Sequence, residues 1–246
     1  MPVKFYFINL DCSPERRQFM ENQFRELCVT VTRIPAVDGT QLKEEFIRRV
    51  TDSQSLSAHF MSPKLGEIGA FLSHKISWEI ISQQSEEFAV VLEDDLLVND
   101  DLFTDLNEII KMITINDIVD LSGRKGAVEK AKKFGQKDVE LIRYSTPPLG
   151  MTGKIIGKNA AANLSDFFPN YLAPVDVMVQ KIYQHKIPIW SVNKQYISHA
   201  DQQVGGTTIQ ATDITPLRKI ARELKRPFWR LAIKIGNFIF DHRRTK

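Results

Sequence analysis

Residues 88–95 read Phe-Ala-Val-Val-Leu-Glu-Asp-Asp, five apolar residues followed at once by three carboxylates. A continuous apolar run of this length is typical of a strand that is buried on both faces of an α/β sheet. The carboxylates then leave the strand together at its carboxyl end, where open α/β sheets bind ligands. Adjacent carboxylates repel one another unless a positive charge neutralises them, and their hard oxygen atoms favour Mg²⁺ or Mn²⁺, which also bind the phosphates of a substrate. The alternative is a solvated acidic turn that caps the following helix.

The start of the chain has a matching α/β pattern. Aromatic and β-branched residues over Val3 to Leu10 predict a strand, and Ser13-Pro14 predicts the cap and first turn of a helix. β-branched residues over 29–34 predict a second strand, which ends before a turn at Asp38-Gly39. These elements form a β-α-β unit.

Apolar periodicity predicts the remaining elements. A helix over Glu67 to Ile81 leads into the strand at 88–92, and a Gly- and Lys-rich loop is expected over Gly123 to Lys137. Further helices are predicted over Leu102–Met112, Lys158–Phe168 and Val177–His185, and further strands over Asp117–Leu121, Val139–Tyr144, Met151–Ile156 and Ser191–Ile197. The predicted fold class is α/β, a single domain with a mixed, mainly parallel sheet flanked by helices.

The positive charge of the chain is concentrated in its tail. Residues 217–246 carry ten Lys and Arg against two acidic residues, whereas the rest of the chain carries 23 basic and 28 acidic residues. Thr215-Pro216 predicts a helix start, and apolar residues recur at helical spacing from Ile220 to Phe238. We therefore expect a domain over residues 1–214 and a basic amphipathic helical tail over 215–246, which is a candidate anchor on an anionic membrane surface. The alternative is a helix packed on the body of the protein.

Composition excludes several classes of protein. With 43% hydrophobic residues in 246, the chain is long and apolar enough for a large core, so it is not a disordered or fibrous protein. Cys12 and Cys28 provide neither a disulfide framework nor a zinc pattern. The acidic body argues against a nucleic-acid partner. Lys4 and Asn9 interrupt the first apolar stretch, so we expect no secretory signal.

Four blocks of sequence, in order, carry a family resemblance. They are Ile8-Asn-Leu-Asp11 with Glu15-Arg-Arg17, Ala36-Val-Asp-Gly39, Gly66-Glu-Ile-Gly69 with Leu72-Ser-His74 and Trp78, and Val91-Leu-Glu-Asp-Asp95, with a weaker fifth block at Pro174-Val-Asp176. In these blocks the chain resembles glycosyltransferase family 25, which includes bacterial lipooligosaccharide galactosyltransferases and the collagen galactosyltransferase domain. The resemblance extends over about residues 4–209, and the tail lies outside it.

The resemblance implies a GT-A-like fold, a UDP-hexose donor, a Mn²⁺ or Mg²⁺ ion and inversion at the transferred sugar. It makes Asp95 the main metal ligand. Glu93 completes the acid-x-acid pattern as a direct ligand, a water-mediated ligand or a ribose contact, and Asp94 faces either way. The metal would neutralise the charge that develops on the departing diphosphate.

The resemblance also places Ile8, Asn9, Leu10 and Arg16 near the uridine of the donor. Asn9 offers both hydrogen-bond donors and an acceptor for a base or a ribose. Without the resemblance, these residues would be read as a plain strand-to-helix turn.

The second and third blocks contribute further donor-binding candidates, which are Asp38, Gly39, Glu67, Ser73 and His74. Glu67 and His74 are seven positions apart and so lie on nearly the same face of the predicted helix. The alternative for His74 is a hydrogen-bonded structural histidine.

Three later residues complete the candidate site. Asp176 is either the general base that accepts the acceptor's proton or the N-cap of the helix after it. His199 is a candidate third metal ligand. Gly157, at a strand-to-helix junction, is a candidate for discrimination between donor epimers, although such a glycine is also typical of a bulge.

Together these features predict a metal-dependent inverting hexosyltransferase that uses UDP-galactose or UDP-glucose. The expected acceptor is the glycolipid lipooligosaccharide or lipopolysaccharide outer core, at the cytoplasmic face of a bacterial inner membrane. The alternatives are a non-catalytic peripheral membrane or nucleic-acid-binding module and a UDP-N-acetylhexosamine transferase.

Overall fold

A computed structural model describes residues 2–51, 64–136, 138–200, 228 and 230–240. The first half of the chain contains β1 (Val3–Asn9), α1 (Pro14–Glu26), β2 (Val31–Pro35), a 3-10 turn (Gly39–Gln41), α2 (Glu44–Val50), α3 (Leu65–Gln83), β3 (Phe88–Glu93) and β4 (Leu96–Val98). The second half contains α4 (Asp101–Lys111), β5 (Ile118–Asp120), β6 (Glu129–Phe134), β7 (Glu140–Tyr144), β8 (Gly153–Gly157), α5 (Lys158–Phe167), α6 (Val175–Gln180), α7 (Ile182–His185), β9 (Ile189–Val192) and β10 (Ile197–His199). A further helix covers residues 230–240.

Eight of these strands form one mixed sheet, in the order β2-β1-β3-β8-β5-β9-β7-β6. Only β7 and β8 run against the direction of the other six. Strands β4 and β10 form a separate antiparallel pair. The prediction of an α/β fold with a mixed, mostly parallel sheet flanked by helices is confirmed.

Strand β3 lies inside the sheet, between β1 and β8, and is buried on both faces as its apolar run predicts. Val91 belongs to the core cluster that includes Phe71 and Trp78 of α3. Val90 belongs to the cluster on the opposite face, which includes Phe24 of α1. Because side chains alternate along a strand, the residues that follow Leu92 are also directed toward different layers.

Close backbone packing joins the amino end of α3 to the loop after β2. A side chain at Gly39 would overlap the carbonyl group of Leu65, and a Cβ at Gly69 would lie 2.5 Å from the Val37 carbonyl oxygen. The Ser73 hydroxyl accepts a hydrogen bond from the Val37 backbone N–H at 2.8 Å. The glycines of these two sequence blocks therefore allow a helix and a loop to touch, a requirement of packing.

Three predicted elements differ from the structure. The expected loop over 123–137 contains the strand β6, whose mostly exposed side chains lack the alternation that would have revealed an edge strand. The strand expected over 191–197 is divided into two strands. The first, β9, pairs with β7, and the second, β10, pairs with β4. The helix expected over 177–185 begins at Val175 and is interrupted at Lys181.

The predicted start of the tail helix at Thr215 lies outside the described residues. In the described part, Ile233 and Asn237 are buried, and the Asn237 side chain accepts from the Tyr183 N–H at 3.0 Å and donates to the Gln180 carbonyl at 3.1 Å. The opposite apolar face is exposed and consists of Phe228, Leu231, Ile235, Phe238 and Ile239. One face of the helix therefore packs on the body, and on the exposed face Lys130 Nζ lies over the Phe238 ring, 4.7 Å from its centroid. Among the helices described, none has the length and apolarity needed to cross a bilayer.

Replacement of Gly69 by Ala tests the close packing of α3. We expect Gly69→Ala to lower the free energy of unfolding by about 1–3 kcal/mol, because the added methyl group overpacks a backbone contact. Gly66→Ala is the matched control in the same helix, since its added Cβ would meet no described residue within 4 Å other than its chain neighbours and the backbone of its own helix. Urea titration should show the control unchanged or slightly stabilised, and equal stability of the two variants would contradict the packing argument.

Candidate active site at the carboxyl edge of the sheet

The ends of β1 and β3 lie side by side and are joined by polar side chains. Their register pairs Ile8 with Glu93, so Asn9 and Asp94 lie one step further along the two strands. The Asn9 Nδ2 donates to Asp94 Oδ2 at 2.7 Å, and Arg16 Nη1 donates to Asp94 Oδ1 at 2.9 Å. The same Arg16 nitrogen lies 3.5 Å from Asp95 Oδ2. A single buried guanidinium therefore bridges two of the three carboxylates.

Both the oxygen and the nitrogen of the Asn9 side-chain amide form hydrogen bonds within the protein. Its Oδ1 accepts from Arg33 Nε at 2.9 Å, and its Nδ2 also donates to the Ser13 carbonyl at 3.1 Å. Asn9 is buried, Ile8 beside it is also buried, and Leu10 is half-buried. The predicted uridine-binding residues thus lie at the carboxyl end of β1, but the polar groups of Asn9 are hydrogen-bonded to other residues of the protein.

Asp95 is the carboxylate with unused hydrogen-bonding capacity. Its Oδ1 is buried and has no hydrogen-bond partner among the residues described. Burial raises the pKa of Asp95, the negative charges of Glu93 and Asp94 raise it further, and the interactions with the Arg16 guanidinium and the His199 ring oppose the shift. A buried carboxylate oxygen without a donor is an energetically costly group that a cation would satisfy.

Strand pairing brings His199 to Asp95 although 104 positions separate them in the sequence. In the β4–β10 pair, His199 lies opposite Leu96, and the Ala200 N–H donates to the Asp95 carbonyl at 2.8 Å. The His199 residue is exposed, so its ring can reach an incoming ligand. Asp95 and His199 are chemically suited to Mn²⁺ or Mg²⁺. The described part of the chain holds no preformed cluster of three or more His, Cys, Asp or Glu side chains for a metal, so a bound phosphate would have to complete the shell.

Glu93 and His74 lie on the α3 side of the sheet edge. His74 Nε2 is 3.7 Å from Glu93 Oε1, beyond a normal hydrogen bond, and His74 Nδ1 has no partner among the described residues. The His74 side chain is only 4% exposed. The structure therefore gives the His74 ring no hydrogen bond among the described residues, although the alternative of a structural histidine would require one, and its Nδ1 is unused.

Asp176 lies at the start of α6 and is electrostatically coupled to the same edge. Its Oδ1 accepts from the Val177 N–H at 2.8 Å. Burial raises the pKa of Asp176, the Val177 hydrogen bond opposes this, the charge of Glu93 raises the pKa, and the charge of Lys154 lowers it. A carboxylate with a raised pKa is a stronger base, which suits proton abstraction from a hydroxyl group.

Glu67 has a structural role at the amino end of α3. Its Oε2 accepts from the Lys64 N–H at 3.3 Å and from the Tyr171 hydroxyl at 3.2 Å. Burial and the charge of Glu67 raise the pKa of Tyr171, so the phenol stays protonated and keeps donating to the carboxylate. Glu67 therefore ties α3 to the segment before Asp176.

Four of the predicted residues are not brought to a ligand position. Gly157 pairs with Phe88 at the far end of β3 from Glu93, and a Cβ there would overlap the Ile115 carbonyl, so packing explains this glycine. Gly39 is buried against α3, and the Ser73 hydroxyl accepts a hydrogen bond from the Val37 N–H. Asp38 caps the 3-10 turn by accepting from the Thr40 N–H at 2.9 Å.

Sequence reasoning missed the buried pair Lys154–Asp120. Lys154 Nζ donates to Asp120 Oδ2, and the two residues are 3% and 0% exposed. They face each other across β8 and β5. The available signal was a lysine inside the predicted strand at 151–156, directly before Ile155 and Ile156, because a buried charge in a strand requires a partner.

The opposite environments of Asp94 and Asp95 give a stability test. Because burial raises the pKa of Asp95, the folded protein holds this proton more tightly than the unfolded chain, and ionisation above that pKa costs stability. Asp95→Asn should therefore raise the free energy of unfolding at neutral pH, and the gain should disappear as the pH falls through the pKa of Asp95. Asp94→Asn should lower it by about 2 kcal/mol, since charge-assisted hydrogen bonds are lost. Urea titrations in which both variants shift in the same direction would contradict this assignment.

Comparison with known proteins agrees with the geometry. The chain matches the family model of "Glycosyltransferase family 25 (LPS biosynthesis protein)" over residues 3–179. It is 41% identical over 95 residues to a glycosyltransferase 25 family member of Aedes aegypti, covering 37% of this chain and 16% of that protein. It is 32% identical over 95 residues to procollagen galactosyltransferase 1-B of Xenopus laevis, covering 37% and 16%. It is 26% identical over 211 residues to inactive glycosyltransferase 25 family member 3 of Mus musculus, covering 78% and 35%.

The chain therefore spans about a sixth of the first two relatives and about a third of the mouse protein. The family match includes Arg16, the carboxylates at 93–95 and Asp176. Because it covers well over half of the sequence, this chain belongs to glycosyltransferase family 25.

Proposed function

We propose that the chain is a metal-dependent inverting hexosyltransferase with a GT-A-like fold. It transfers galactose or glucose from UDP-galactose or UDP-glucose to a terminal sugar of the outer core of lipooligosaccharide or lipopolysaccharide. The observation that carries the proposal is the buried Oδ1 of Asp95 at the end of β3, which has no hydrogen-bond partner among the described residues, in a carboxylate that interacts electrostatically with Arg16 and His199. The family description as a lipopolysaccharide biosynthesis protein supports the acceptor class.

Asp95 and His199 are the residues that would hold a divalent cation, with Glu93 at the side of the same edge. Such a cation, when bound, neutralises charge on the departing diphosphate. Arg16 keeps Asp94 and Asp95 together in spite of their repulsion, because its Nη1 contacts both carboxylates. Arg33 and Asn9 hold this arrangement against β1.

Asp176 acts as the general base in this proposal. Inversion requires a base on the face of the sugar opposite the leaving group, where it takes the proton of the acceptor hydroxyl as that oxygen attacks. Asp176 is coupled to Glu93 through charge and approaches the edge from α6, whereas His199 approaches it from β10. The base and the metal ligands therefore come from different elements around the end of β3.

Asp95→Asn is expected to abolish transfer. We expect kcat/KM for UDP-hexose in Mn²⁺ to fall by about 100-fold or more, since a bound cation contributes several kcal/mol to the transition state. Asp100→Asn is the matched control, because Asp100 is an exposed carboxylate five positions later with no side-chain cap hydrogen bond. A radiolabelled sugar-transfer assay on glycolipid acceptors measures both variants.

Near-normal turnover by Asp95→Asn would remove the metal-site argument. A wild-type protein that neither binds nor turns over UDP-hexoses would identify a non-catalytic module instead. A donor screen that includes UDP-N-acetylhexosamines separates a hexosyltransferase from a transferase of amino sugars.

Asp176→Asn is expected to lower kcat by about 100-fold or more and to leave KM for the donor almost unchanged. The reason is that a general base takes part in proton transfer during the chemical step and not in binding of the donor. Since burial raises the pKa of Asp176, the acid limb of the wild-type pH–rate profile should lie above the value of an ordinary aspartate, about 3.9. Activity is lost as the pH falls through that limb. If the substitution raises the donor KM with kcat preserved at saturation, Asp176 is a sugar ligand and the base lies elsewhere.

We also propose that the tail attaches the enzyme to the cytoplasmic face of a bacterial inner membrane, where its glycolipid acceptor resides. Leu231 and Ile235 are exposed on the outer face of the helix, beside the basic residues Arg230 and Lys234. Apolar side chains next to positive charges suit an anionic lipid surface.

Substitution of the outer face tests this attachment without disturbing the buried face. The double variant Leu231→Gln/Ile235→Gln should bind anionic vesicles about 10-fold or more weakly, because less apolar surface inserts. Leu65→Gln is the control, as Leu65 is an exposed leucine outside the tail. Cosedimentation at increasing NaCl should also show weaker binding of the wild-type chain. Equal sedimentation of the two variants would contradict the attachment.

A further inference from the structure

A small cleft next to the proposed metal site is lined by Leu96, the residue after Asp95, and by His199. It lies under the β4–β10 pair, and its walls include Ser122, Arg124, Thr152 and His199. His199 pairs with Leu96, the residue that directly follows Asp95. A group bound in this cleft would therefore lie next to the carboxylate that we assign to the metal.

Arg124 is held at the wall of this cleft. Its Nε donates to the Ser122 Oγ at 3.1 Å, and its backbone N–H donates to the same oxygen at 3.3 Å. The guanidinium passes over Gly150, where φ is +110° and an added Cβ would lie 2.5 Å from Arg124 Nη2. The hydrogen bonds to Ser122 use Nε and the backbone, and no residue that the structure describes is hydrogen-bonded to the terminal nitrogens, which can therefore bind a ligand.

A buried ion pair fixes the serine that orients Arg124. The Ser122 N–H donates to Asp120 Oδ1 at 2.7 Å, and the Ser122 hydroxyl donates to the same oxygen. The other Asp120 oxygen accepts from Lys154, and both charged residues are almost fully buried. Because the serine proton goes to Asp120, its lone pairs can accept from Arg124. A rigid chain of contacts thus leads from the centre of the sheet to the cleft.

The positive charge of Arg124 is available for a bound ligand. Two other arginines at this end of the sheet are already engaged, since Arg16 contacts Asp94 and Asp95 and Arg33 pairs with Asp11. Arg124 pairs with no carboxylate in the portion of the chain that the structure describes. A planar guanidinium binds phosphate through two parallel hydrogen bonds, whereas a neutral sugar hydroxyl does not require a positive charge.

We propose that Arg124 binds the diphosphate of the nucleotide-sugar donor, in the cleft formed with Ser122, Thr152 and His199. This inference rests on the proposed function, since it takes the donor to be a UDP-hexose. Ser122 is a positioning residue that sets the direction of the guanidinium. Arg124 then faces the negative charge that grows on the diphosphate as the bond to the sugar breaks and UDP leaves.

Isothermal titration of the full chain with UDP and with uridine, in Mn²⁺, tests this assignment. Arg124→Ala should weaken UDP binding by about 10-fold to 100-fold, the effect of losing a charge-assisted phosphate contact, and should leave uridine binding unchanged. Lys125→Ala is the matched control, because Lys125 is the exposed neighbour and its loss changes the net charge equally. Ser122→Ala should weaken UDP binding by less than Arg124→Ala, and Arg124→Lys should restore part of it.

Two results would overturn the proposal. Arg124→Ala that binds UDP like wild type, or that loses uridine affinity equally, would show that Arg124 does not bind the diphosphate. Equal losses of UDP affinity in Arg124→Ala and Lys125→Ala would reduce the effect to net charge. If the wild-type chain binds no UDP at all, the proposed function fails, and this inference fails with it.

Discussion

Repulsion among three consecutive carboxylates at the end of a fully buried strand is the constraint on which this site depends. Arg16 relieves part of it by contacting Asp94 and Asp95 with one nitrogen. Its guanidinium is held in a buried position, and Asn9 supplies a further donor to Asp94. Asp95 is compensated less well. Its Oδ1 has no hydrogen-bond donor among the described residues, and burial raises its pKa. The fold thus stabilises two carboxylates and leaves one carboxylate oxygen suited to an added cation.

Side chains alternate between the two faces of β3, so its last residues contact different parts of the protein. Asp94 points to the layer of α1, where Arg16 and Asn9 use it to join β3 to β1. Glu93 lies on the other face, near His74 of α3, and its charge raises the pKa of Asp176 of α6. The proposed nucleotide side and the proposed acceptor side therefore meet at a single strand end. The Lys154–Asp120 pair joins β8 and β5, the next two strands after β3 in the sheet, and so stiffens the part of the sheet beside this site.

Local patterns predicted the strand and its carboxylates, because five apolar residues before three acids are visible within one stretch of eight. The partners of those acids were harder to derive, since Arg16 and Asn9 lie 78 and 85 positions from Asp94. His199 reaches Asp95 through a strand pair that includes β4, an element too short to show a period in the sequence. Gly157 failed as a ligand position because the sequence does not reveal that β8 runs antiparallel to β3, which puts its end on the opposite edge. Edge strand β6 was missed because its exposed lysines hide the strand pattern.

Anomalous X-ray scattering at the manganese edge, from crystals of the full chain grown with UDP and Mn²⁺, tests the central claim most directly. That claim is that the end of β3 is a metal–nucleotide site built around Asp95. The account predicts one manganese peak within coordination distance of the Asp95 carboxylate, shared with a phosphate oxygen of UDP. Ordered UDP with manganese at another edge of the sheet, or with no manganese near Asp95, would contradict it.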